Sequence, residues 1–376
     1  ELAHDADDLL GKTTDEARRR ELAAFIVDAL AGSDAVRGQI RKLEIERPEA
    51  VFPEDYSFIA WPGFAHISYL LTLAKQDKNL ADAHLALGAR AAARDDVLSA
   101  FRLAGTLKGE PALLPFLVRT SITSIALQPL ESGIKSHAWT AGDLEAFSRE
   151  LDRVNLVSAL AFAFRGERGF FNQLLNAARS GSDPSMSWSK FARRGFGGFG
   201  GGNRTAEIVF ASLYPLTSGG DQVFYNRQLQ AVIDVLDATG GIKPAAFPRQ
   251  NTSASVAFRA THLLSFFGLS NFDAAIRKTL FIQETVLQFR IACALEQYWL
   301  AHHAYPASLK ELPSTFAIPK SVFAGQSFHY LLEKDGTFRL WSPGWNGTDE
   351  HGVSSPKRGD YESYDWLWDE EPGHHP

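Results

Sequence analysis

The sequence predicts a mainly α-helical protein, in which a multi-helical region built as a stack of helical hairpins precedes a small α+β module with a β-hairpin. Three observations predict this fold class. Apolar residues recur at helical spacing through residues 1–180, a glycine-dense stretch interrupts them at 181–204, and short alternating segments follow Pro306. We therefore expect a helical domain at 1–180, a flexible loop at 181–204, a second helical part at 205–272, the α+β module at 273–371 and a tail at 372–376.

The predicted helices of the first region are separated by short polar turns. Asp95 or Asp96 is expected to cap one helix, and Thr140 with Asp143 another, because short polar side chains satisfy the free N–H groups of a first helical turn. A turn at 165–169 is expected to separate the last two helices. The predicted helices run at 14–31, 79–94, 95–104, 111–127, 140–151, 156–164 and 170–178.

The glycine-dense stretch contains the run Arg193–Gly202, which is too rich in glycine to hold a helix or strand. Its two interpretations are a mobile surface loop and an Arg/Phe/Gly segment that stacks on nucleic-acid bases. Helices are expected again at 206–214, 221–238, 258–267 and 273–302. A hairpin turning at Asp335-Gly336 is expected over 328–341, and a last strand at 361–368.

Composition and charge exclude several classes of protein. The chain has 376 residues, of which 45% are hydrophobic and 22% charged, and this is typical of a globular fold and not of a disordered or collagen-like chain. The formal net charge of -6 provides no basic field for nucleic acid or anionic lipid, so we expect no nucleic-acid partner. Cys293 is the single cysteine, which excludes an intramolecular disulfide.

The sequence also bears on targeting. No uncharged apolar run of about 18 residues is present, so no transmembrane helix is expected. The chain starts with Glu1 and not with Met, which is consistent either with removal of a signal or anchor segment or with trimming of the sequence.

The residues from Arg290 onward carry a family resemblance. The helix end that runs through Tyr305-Pro306 to Leu309, followed in order by 325–330, 335–342, 344–349 and Asp365-Trp366-Leu367-Trp368, resembles the globular head of the major pseudopilin of type II secretion systems. The resemblance covers residues 275–370 and implies a β-hairpin, a calcium loop and a closing Asp-plus-aromatic segment. The whole chain resembles exported or membrane-anchored proteins of planctomycete and verrucomicrobial bacteria, which implies an exported location, periplasmic or membrane-anchored facing the periplasm.

The matching helix departs from a pilus spine. It lies inside the chain, and polar residues such as Arg277, Lys278 and Glu284 make it amphipathic. It cannot be the membrane-embedded spine of a pilus, so only the head of the family is implied here.

The loop at 342–352 is the candidate metal site. Calcium takes six to eight oxygen ligands, and glycines allow a loop to turn its carbonyl groups inward. Asp349 and Glu350 offer carboxylates within the loop, and the resemblance puts Asp349 and Asp365 at ligand positions. The alternative is a metal-free turn in which Asp349 accepts backbone hydrogen bonds. The full set of expected ligands for a structural Ca²⁺ is Ser342, Asp349, Glu350, Asp360 and Asp365.

Signals for catalysis are weak. Two Ser-x-x-Lys tetrads, Ser132–Lys135 and Ser187–Lys190, lack the companion motifs of penicillin-binding enzymes, and no catalytic or cofactor-binding residues are predicted. We therefore expect a non-catalytic bacterial envelope protein with a structural or interaction role and a protein partner. One alternative is a hydrolase or carbohydrate-acting enzyme with a site between the helical region and the Trp-rich module. The other is a helical-repeat adaptor that binds peptides.

Overall fold

The computed structural model describes residues 2–47, 50–53, 56, 63–180, 204–248, 261–262, 265, 269, 272–357 and 359–369. Over these residues the chain is mainly helical with one small antiparallel sheet, which confirms the predicted mainly α class and the hairpin. The predicted glycine-dense loop up to residue 203, most of the predicted helix at 258–267 and the tail at 372–376 lie outside the described residues.

Over the described residues, the helices precede the strands along the chain. The helices are α1 (Leu2–Lys12), α2 (Glu16–Leu30), α3 (Asp34–Glu46), α4 (Ala65–Ala86), α5 (Arg90–Thr106), α6 (Leu113–Lys135), α7 (Ala141–Asp152), α8 (Leu156–Ser180), α9 (Arg204–Leu236) and α10 (Phe272–His302). Short 3₁₀ turns occur at Ala31–Ser33, Pro244–Ala246 and Leu309–Glu311. The strands are β1 (His329–Leu332), β2 (Phe338–Ser342) and β3 (Trp366–Leu367).

The cap of α7 is formed as the sequence predicts. The Thr140 hydroxyl accepts from the backbone N–H of Asp143 at 3.3 Å, and the Asp143 carboxylate accepts from the backbone N–H of Thr140 at 3.0 Å. This reciprocal pair satisfies two N–H groups that have no partner inside the helix.

The predicted boundaries around α4 and α5 are wrong. Gly88, with a φ of 74°, ends α4, and α5 already begins at Arg90, so no helix spans 79–94. Asp96 therefore lies inside α5 and caps nothing. Its carboxylate is buried and faces Arg37 and Arg41 of α3.

Helix α8 runs unbroken through the predicted turn at 165–169. Gly166 serves close packing and not a turn, because a Cβ added there would lie 1.4 Å from the carbonyl oxygen of Pro111. Glu167, the next residue, also holds α8 against the start of α6, since its carboxylate accepts from the backbone N–H of Leu113 at 2.8 Å. Helix α9 is likewise continuous through Pro215, where two helices are predicted.

The sheet has the order β1-β2-β3 and is antiparallel throughout. Gly336, with a φ of 88°, turns the β1–β2 hairpin, and the register pairs Leu332 with Phe338. The predicted strand at 361–368 is reduced to Trp366–Leu367, because Tyr364 has a φ of 68°, which strand backbone does not adopt.

Helix α10 contributes to two hydrophobic cores. In the core that contains α5, α6, α7 and the hairpin, the Phe289 ring meets Trp368 with centroids 5.3 Å apart. In the core that contains α8 and α9, Phe281 meets Trp366 at 5.5 Å. Between these contacts, the Gln288 side chain donates to the Trp366 carbonyl at 2.8 Å. Both cores cross the boundary predicted at residues 272–273, and the division into domains stays a prediction.

Among the described residues, one helix is long and apolar enough to cross a membrane, and this is α6. Of its most apolar window, 56% is buried inside the fold. The helix packs against α4, α5, α8 and α10, which is the setting of a core helix.

Candidate functional site

The loop between β2 and β3 contains the predicted metal ligands. Gly344, Gly347 and Gly352 have φ values of 64°, 69° and 74°, so each occupies the left-handed region that the glycine pattern predicts. A Cβ at Gly352 would come within 2.8 Å of the Arg339 guanidinium, and one at Gly344 would come within 3.0 Å of the Trp366 ring. The loop is thus pressed against β2 and β3.

Asp349 holds the loop together by hydrogen bonds. Its Oδ1 accepts from the Trp341 indole N–H and from the His351 backbone N–H, each at 2.9 Å. Its Oδ2 lies 3.4 Å from Nδ1 of His329 and 3.6 Å from Nδ1 of His351. Although partial burial opposes ionisation, these hydrogen bonds and the two imidazoles lower the pKa of Asp349. These hydrogen bonds are the ones that the alternative interpretation, a hydrogen-bonded turn, predicts for Asp349.

Asp365 is fully buried and only half satisfied. Its Oδ2 accepts from the Gly352 backbone N–H at 2.7 Å, while its Oδ1 has no partner among the described residues. Burial raises the pKa of Asp365 to about 6, and the negative charges of Glu350 and Asp349 act in the same direction, against the backbone N–H groups of Gly352 and Glu350. The Asp365 carboxylate therefore lies where a negative charge is unfavourable unless a cation accompanies it.

Two other predicted ligands also keep an unpartnered oxygen. Glu350 accepts from the Asn346 amide at 2.9 Å through Oε1, and its buried Oε2 has no partner within the described residues. Ser342 is fully buried, and its hydroxyl has none either within that part of the chain. A buried polar atom without a partner costs about 1–3 kcal/mol. A cation or a hydrogen-bond donor that reached these oxygens would therefore stabilise the loop.

Asp360 belongs to a turn of its own. Its Oδ1 accepts from the backbone N–H groups of Glu362 and Ser363, and its Oδ2 accepts from the Ser355 hydroxyl at 3.0 Å. Both oxygens are satisfied, and these hydrogen bonds lower the pKa of Asp360. The negative charges of Asp349 and Glu350 lie near enough to act on the Asp365 carboxylate. Asp360 does not belong to this group.

The carboxylates of the loop are not tightly convergent. Across the described ranges, three ligand atoms of His, Cys, Asp or Glu come within 4.8 Å of one another at His4, Asp7 and Asp8 of α1 and not in the loop. At α1, the Asp7 carboxylate already forms an ion pair with Lys78. A cation in the loop would therefore depend on backbone carbonyl groups as well as on side chains, as calcium sites allow.

A second polar group lines a cleft of about 810 Å³ between α6, the end of α10 and the hairpin. Nδ1 of His137 lies 3.0 and 3.2 Å from the two carboxylate oxygens of Glu296, and the Tyr305 hydroxyl donates to the same carboxylate at 2.8 Å. Glu296 is fully buried, and the His137 ring stacks on Trp299 with centroids 3.5 Å apart. His137 has a φ of 52°, a conformation held in place by its neighbours.

The acidic side chains of this cleft have partners. Asp369 pairs with Lys135 at 2.9 Å, and Asp335 accepts from the backbone N–H and hydroxyl of Thr337 in the hairpin turn. The sequence missed the His137–Glu296 pair because its members lie 159 residues apart. No local sequence pattern indicates a contact between residues so far apart.

The tryptophans of the C-terminal module form a core. Trp341, Trp366 and Trp368 are buried, and the Phe338 ring stacks on Trp368 with centroids 5.2 Å apart. This arrangement agrees with an aromatic core that joins the hairpin to α10. It leaves these three rings without an exposed face for a sugar.

The residues considered as nucleophiles are engaged or inaccessible. The Ser132 hydroxyl donates to the Gln128 carbonyl, and Lys135 pairs with Glu131 at 2.9 Å, so the first Ser-x-x-Lys tetrad forms no serine–lysine pair. The second tetrad lies outside the described residues. Cys293 is fully buried, and burial raises the pKa of its thiol to about 12.

The chain matches no protein-family model, no curated protein and no solved structure.

Proposed function

We propose that the protein is a non-catalytic component of the bacterial envelope with a structural or interaction role, and that its C-terminal module is made rigid by a bound divalent cation. Calcium is the proposed ion because every candidate ligand is an oxygen. The resemblance in the order of the C-terminal motifs is the ground for the envelope location and for a protein partner.

One observation carries the proposal of an ion. Ser342, Glu350 and Asp365 each bury an oxygen that has no partner among the described residues. Three such oxygens in one loop, two of them on carboxylates, represent several kcal/mol of unfavourable desolvation. A cation between Asp365 and Glu350 would neutralise the repulsion that raises the Asp365 pKa.

Thermal unfolding with and without calcium tests this proposal. A ligand that binds only the folded state stabilises it, by about 2.7 kcal/mol at a concentration 100 times its Kd. We expect Tm to rise in millimolar CaCl₂ relative to chelator, and less in MgCl₂, which requires a stricter octahedral geometry. Asp365→Asn should remove the rise, since it keeps the size of the side chain and removes its charge.

Asp360→Asn is the matched control. Asp360 follows the same loop but has both oxygens satisfied within its own turn. We expect this variant to respond to calcium as the wild type does. The proposal fails if wild-type Tm is unchanged in calcium, or if the two variants respond equally.

A second candidate function is hydrolysis in the cleft that contains His137. The observation that favours it is the contact between His137 and the fully buried Glu296, because a carboxylate that orients an imidazole is a common arrangement for a general base. In this candidate, His137 activates water and Glu296 is a positioning residue.

Chromogenic esters and glycosides test this second candidate. Turnover above the buffer rate should be lost in His137→Ala and retained in His302→Ala. The control histidine lies at the end of α10, where its Nδ1 faces the Tyr298 carbonyl at 2.8 Å. Absence of turnover by the wild-type protein across both substrate classes would remove the candidate.

A further inference from the structure

Arg119 is a buried cation without a counter-charge. It lies in the first third of α6, is 6% exposed, and forms no hydrogen bond or ion pair through its guanidinium with any residue that the structure describes. Burial lowers its pKa, and no carboxylate opposes that effect. Most of the Arg119 side chain is removed from solvent, so its charge is poorly solvated and the position requires an explanation.

The Arg119 side chain lines a pocket of about 690 Å³, which we call the arginine pocket. The C-terminal ends of α3, α5 and α7 surround it, and α6 forms its floor. Its lining contains five cationic and two acidic side chains, namely Arg102, Lys108, Arg119, Arg149, Arg153, Glu44 and Glu150.

The two acidic groups do not balance the cations. Glu150 is shared between Arg153, at 2.9 Å, and Arg102, at 3.6 Å. Burial and the charge of Asp77 raise the pKa of Glu44 to about 7, which leaves this group only partly ionised at neutral pH. Arg149 pairs with Glu145, which lies outside the lining, at 2.8 Å. No ion pair with a carboxylate is formed by Arg119 within the described ranges, so the pocket still retains a positive charge at Arg119.

We propose that the arginine pocket binds a phosphorylated small molecule, with the phosphate group as the counter-charge of Arg119. Guanidinium groups match phosphate oxygens in a bidentate fork, and several arginines around one cavity are typical of phosphate recognition. The cavity is larger than a phosphate ion requires, and Ile45, Phe101 and Val154 provide apolar surface for an organic part.

The competing explanation is that the basic residues complement the negative ends of three helices. It accounts for Arg149, in the last turn of α7, and for Arg153, at the C-cap of that helix. It does not account for Arg119, which lies about two turns from the start of α6. The distinction between the two explanations therefore rests on Arg119.

Ligand binding to the whole protein tests the proposal. Inorganic phosphate, pyrophosphate and glycerol phosphate are titrated in chelator, with sodium chloride at matched ionic strength as the reference. We expect Tm to rise with each phosphate compound and not with chloride. Glycerol phosphate should bind more tightly than phosphate alone, since it also contacts the apolar wall. Chelator keeps the calcium loop out of the measurement, so failure here is distinct from failure of the proposed function.

Two variants give opposite expectations. Arg119→Met should weaken phosphate binding at least tenfold and leave Tm in chloride unchanged or higher, because it removes an uncompensated charge. Glu150→Gln should tighten binding, because it releases Arg102 and Arg153 from their carboxylate. Arg18→Met is the control, since Arg18 is exposed and pairs with Glu21 on α2.

Three results would overturn the proposal. The first is a wild-type protein whose Tm responds to phosphate no more than to chloride. The second is an Arg119→Met variant that binds phosphate as the wild type does. The third is an Arg119→Met variant that unfolds or is strongly destabilised in chloride, which would mean that Arg119 serves the fold itself.

Discussion

Two of the regions that bury carboxylates differ in what neutralises those carboxylates. Between α3, α4 and α5, the buried Asp77 and Asp96 both contact Arg37, at 2.9 and 3.1 Å, and both also contact Arg41. In the loop after β2, the buried Asp365 contacts no cationic side chain within the described residues. We call the first region the closed cluster and the second the open loop.

The comparison shows that burial alone does not define a binding site. In the closed cluster the chain supplies its own cations, whose attraction and hydrogen bonds offset part of the desolvation, although burial still raises the pKa of Asp77 to about 6. In the open loop only backbone N–H groups, and no cationic side chain among the described residues, offset the desolvation of Asp365. Under the proposed function, a bound cation would supply the remaining compensation. An ion that binds the open loop therefore performs the task that two arginines perform in the closed cluster.

The largest expected effect comes from opening the closed cluster. Arg37→Met removes one of its two arginines and leaves Asp77 with Arg41, and Asp96 with Arg41 and with His84, whose Nδ1 lies 2.6 Å from the Asp96 carboxylate. This change should reduce the free energy of unfolding by about 3–5 kcal/mol. Urea denaturation measures the loss, with Arg18→Met as the exposed control. A loss below about 1 kcal/mol would mean that Arg41 suffices and that the cluster is not closed by Arg37.

A smaller effect is expected from the pH dependence of the open loop. The pKa of Asp365 is raised to about 6 in the fold, above the ordinary value of about 4. Its protonated form therefore adds stability that is fully present below pH 4 and is lost as pH rises through 6. In chelator, the free energy of unfolding of the wild type should fall by about 1–2 kcal/mol more than that of Asp365→Asn between pH 4 and pH 7.

Calcium should reverse this difference, because the ion binds the ionised carboxylate. Above pH 6, the wild type should be more stable than Asp365→Asn when calcium is present and less stable in chelator. Parallel pH curves for the two proteins in chelator would show that Asp365 titrates normally.

The smallest expected effect comes from removing one charge of the open loop. Glu350→Gln keeps the acceptor for the Asn346 amide and removes a charge that raises the Asp365 pKa. In chelator at pH 7.5 it should stabilise the fold by about 0.5–1 kcal/mol, as expected when one of two like charges is removed. The same variant should bind calcium more weakly. Destabilisation in chelator would indicate that Glu350 acts as a structural acceptor and not as a repelling charge.

Sequence reasoning succeeded where a few neighbouring residues determine the geometry. The capping box of Thr140 and Asp143 and the Asp335-Gly336 turn each depend on fewer than five consecutive residues. The hydrogen-bonded turn at Asp349 is of the same kind. These features were predictable because their hydrogen bonds close within the segment that encodes them.

Helix α3 was missed because its pattern is inverted. It buries Arg37 and Glu44 and exposes Val36, Leu43 and Ile45. A search for an apolar face at helical spacing cannot find a helix whose buried face is charged. The reason for the burial lies on α4 and α5, more than 30 residues along the chain, where Asp77 and Asp96 contact the arginines.

The candidate sites were partly predictable for the same reason. The five expected ligands were named from the glycine and acidic pattern together with the family resemblance, but the separate turn of Asp360 depends on its contacts with Ser355, Glu362 and Ser363. Arg119 had a signal that was overlooked, since it is the one charged residue in the apolar stretch from Leu113 to Gln128. Its lack of a partner could be recognised only once α3, α5 and α7 were in position.

The double membership of α10 has a consequence for how the protein can evolve. Phe281 serves one core and Phe289 the other, while Gln288 binds the backbone beside Asp365. Recombination that cut the gene before this helix would remove buried α10 residues from both cores. The helical bundle and the hairpin would then each expose apolar surface and become insoluble. The C-terminal segment is therefore expected to be inherited together with its bundle, and not passed between unrelated proteins as a portable cassette.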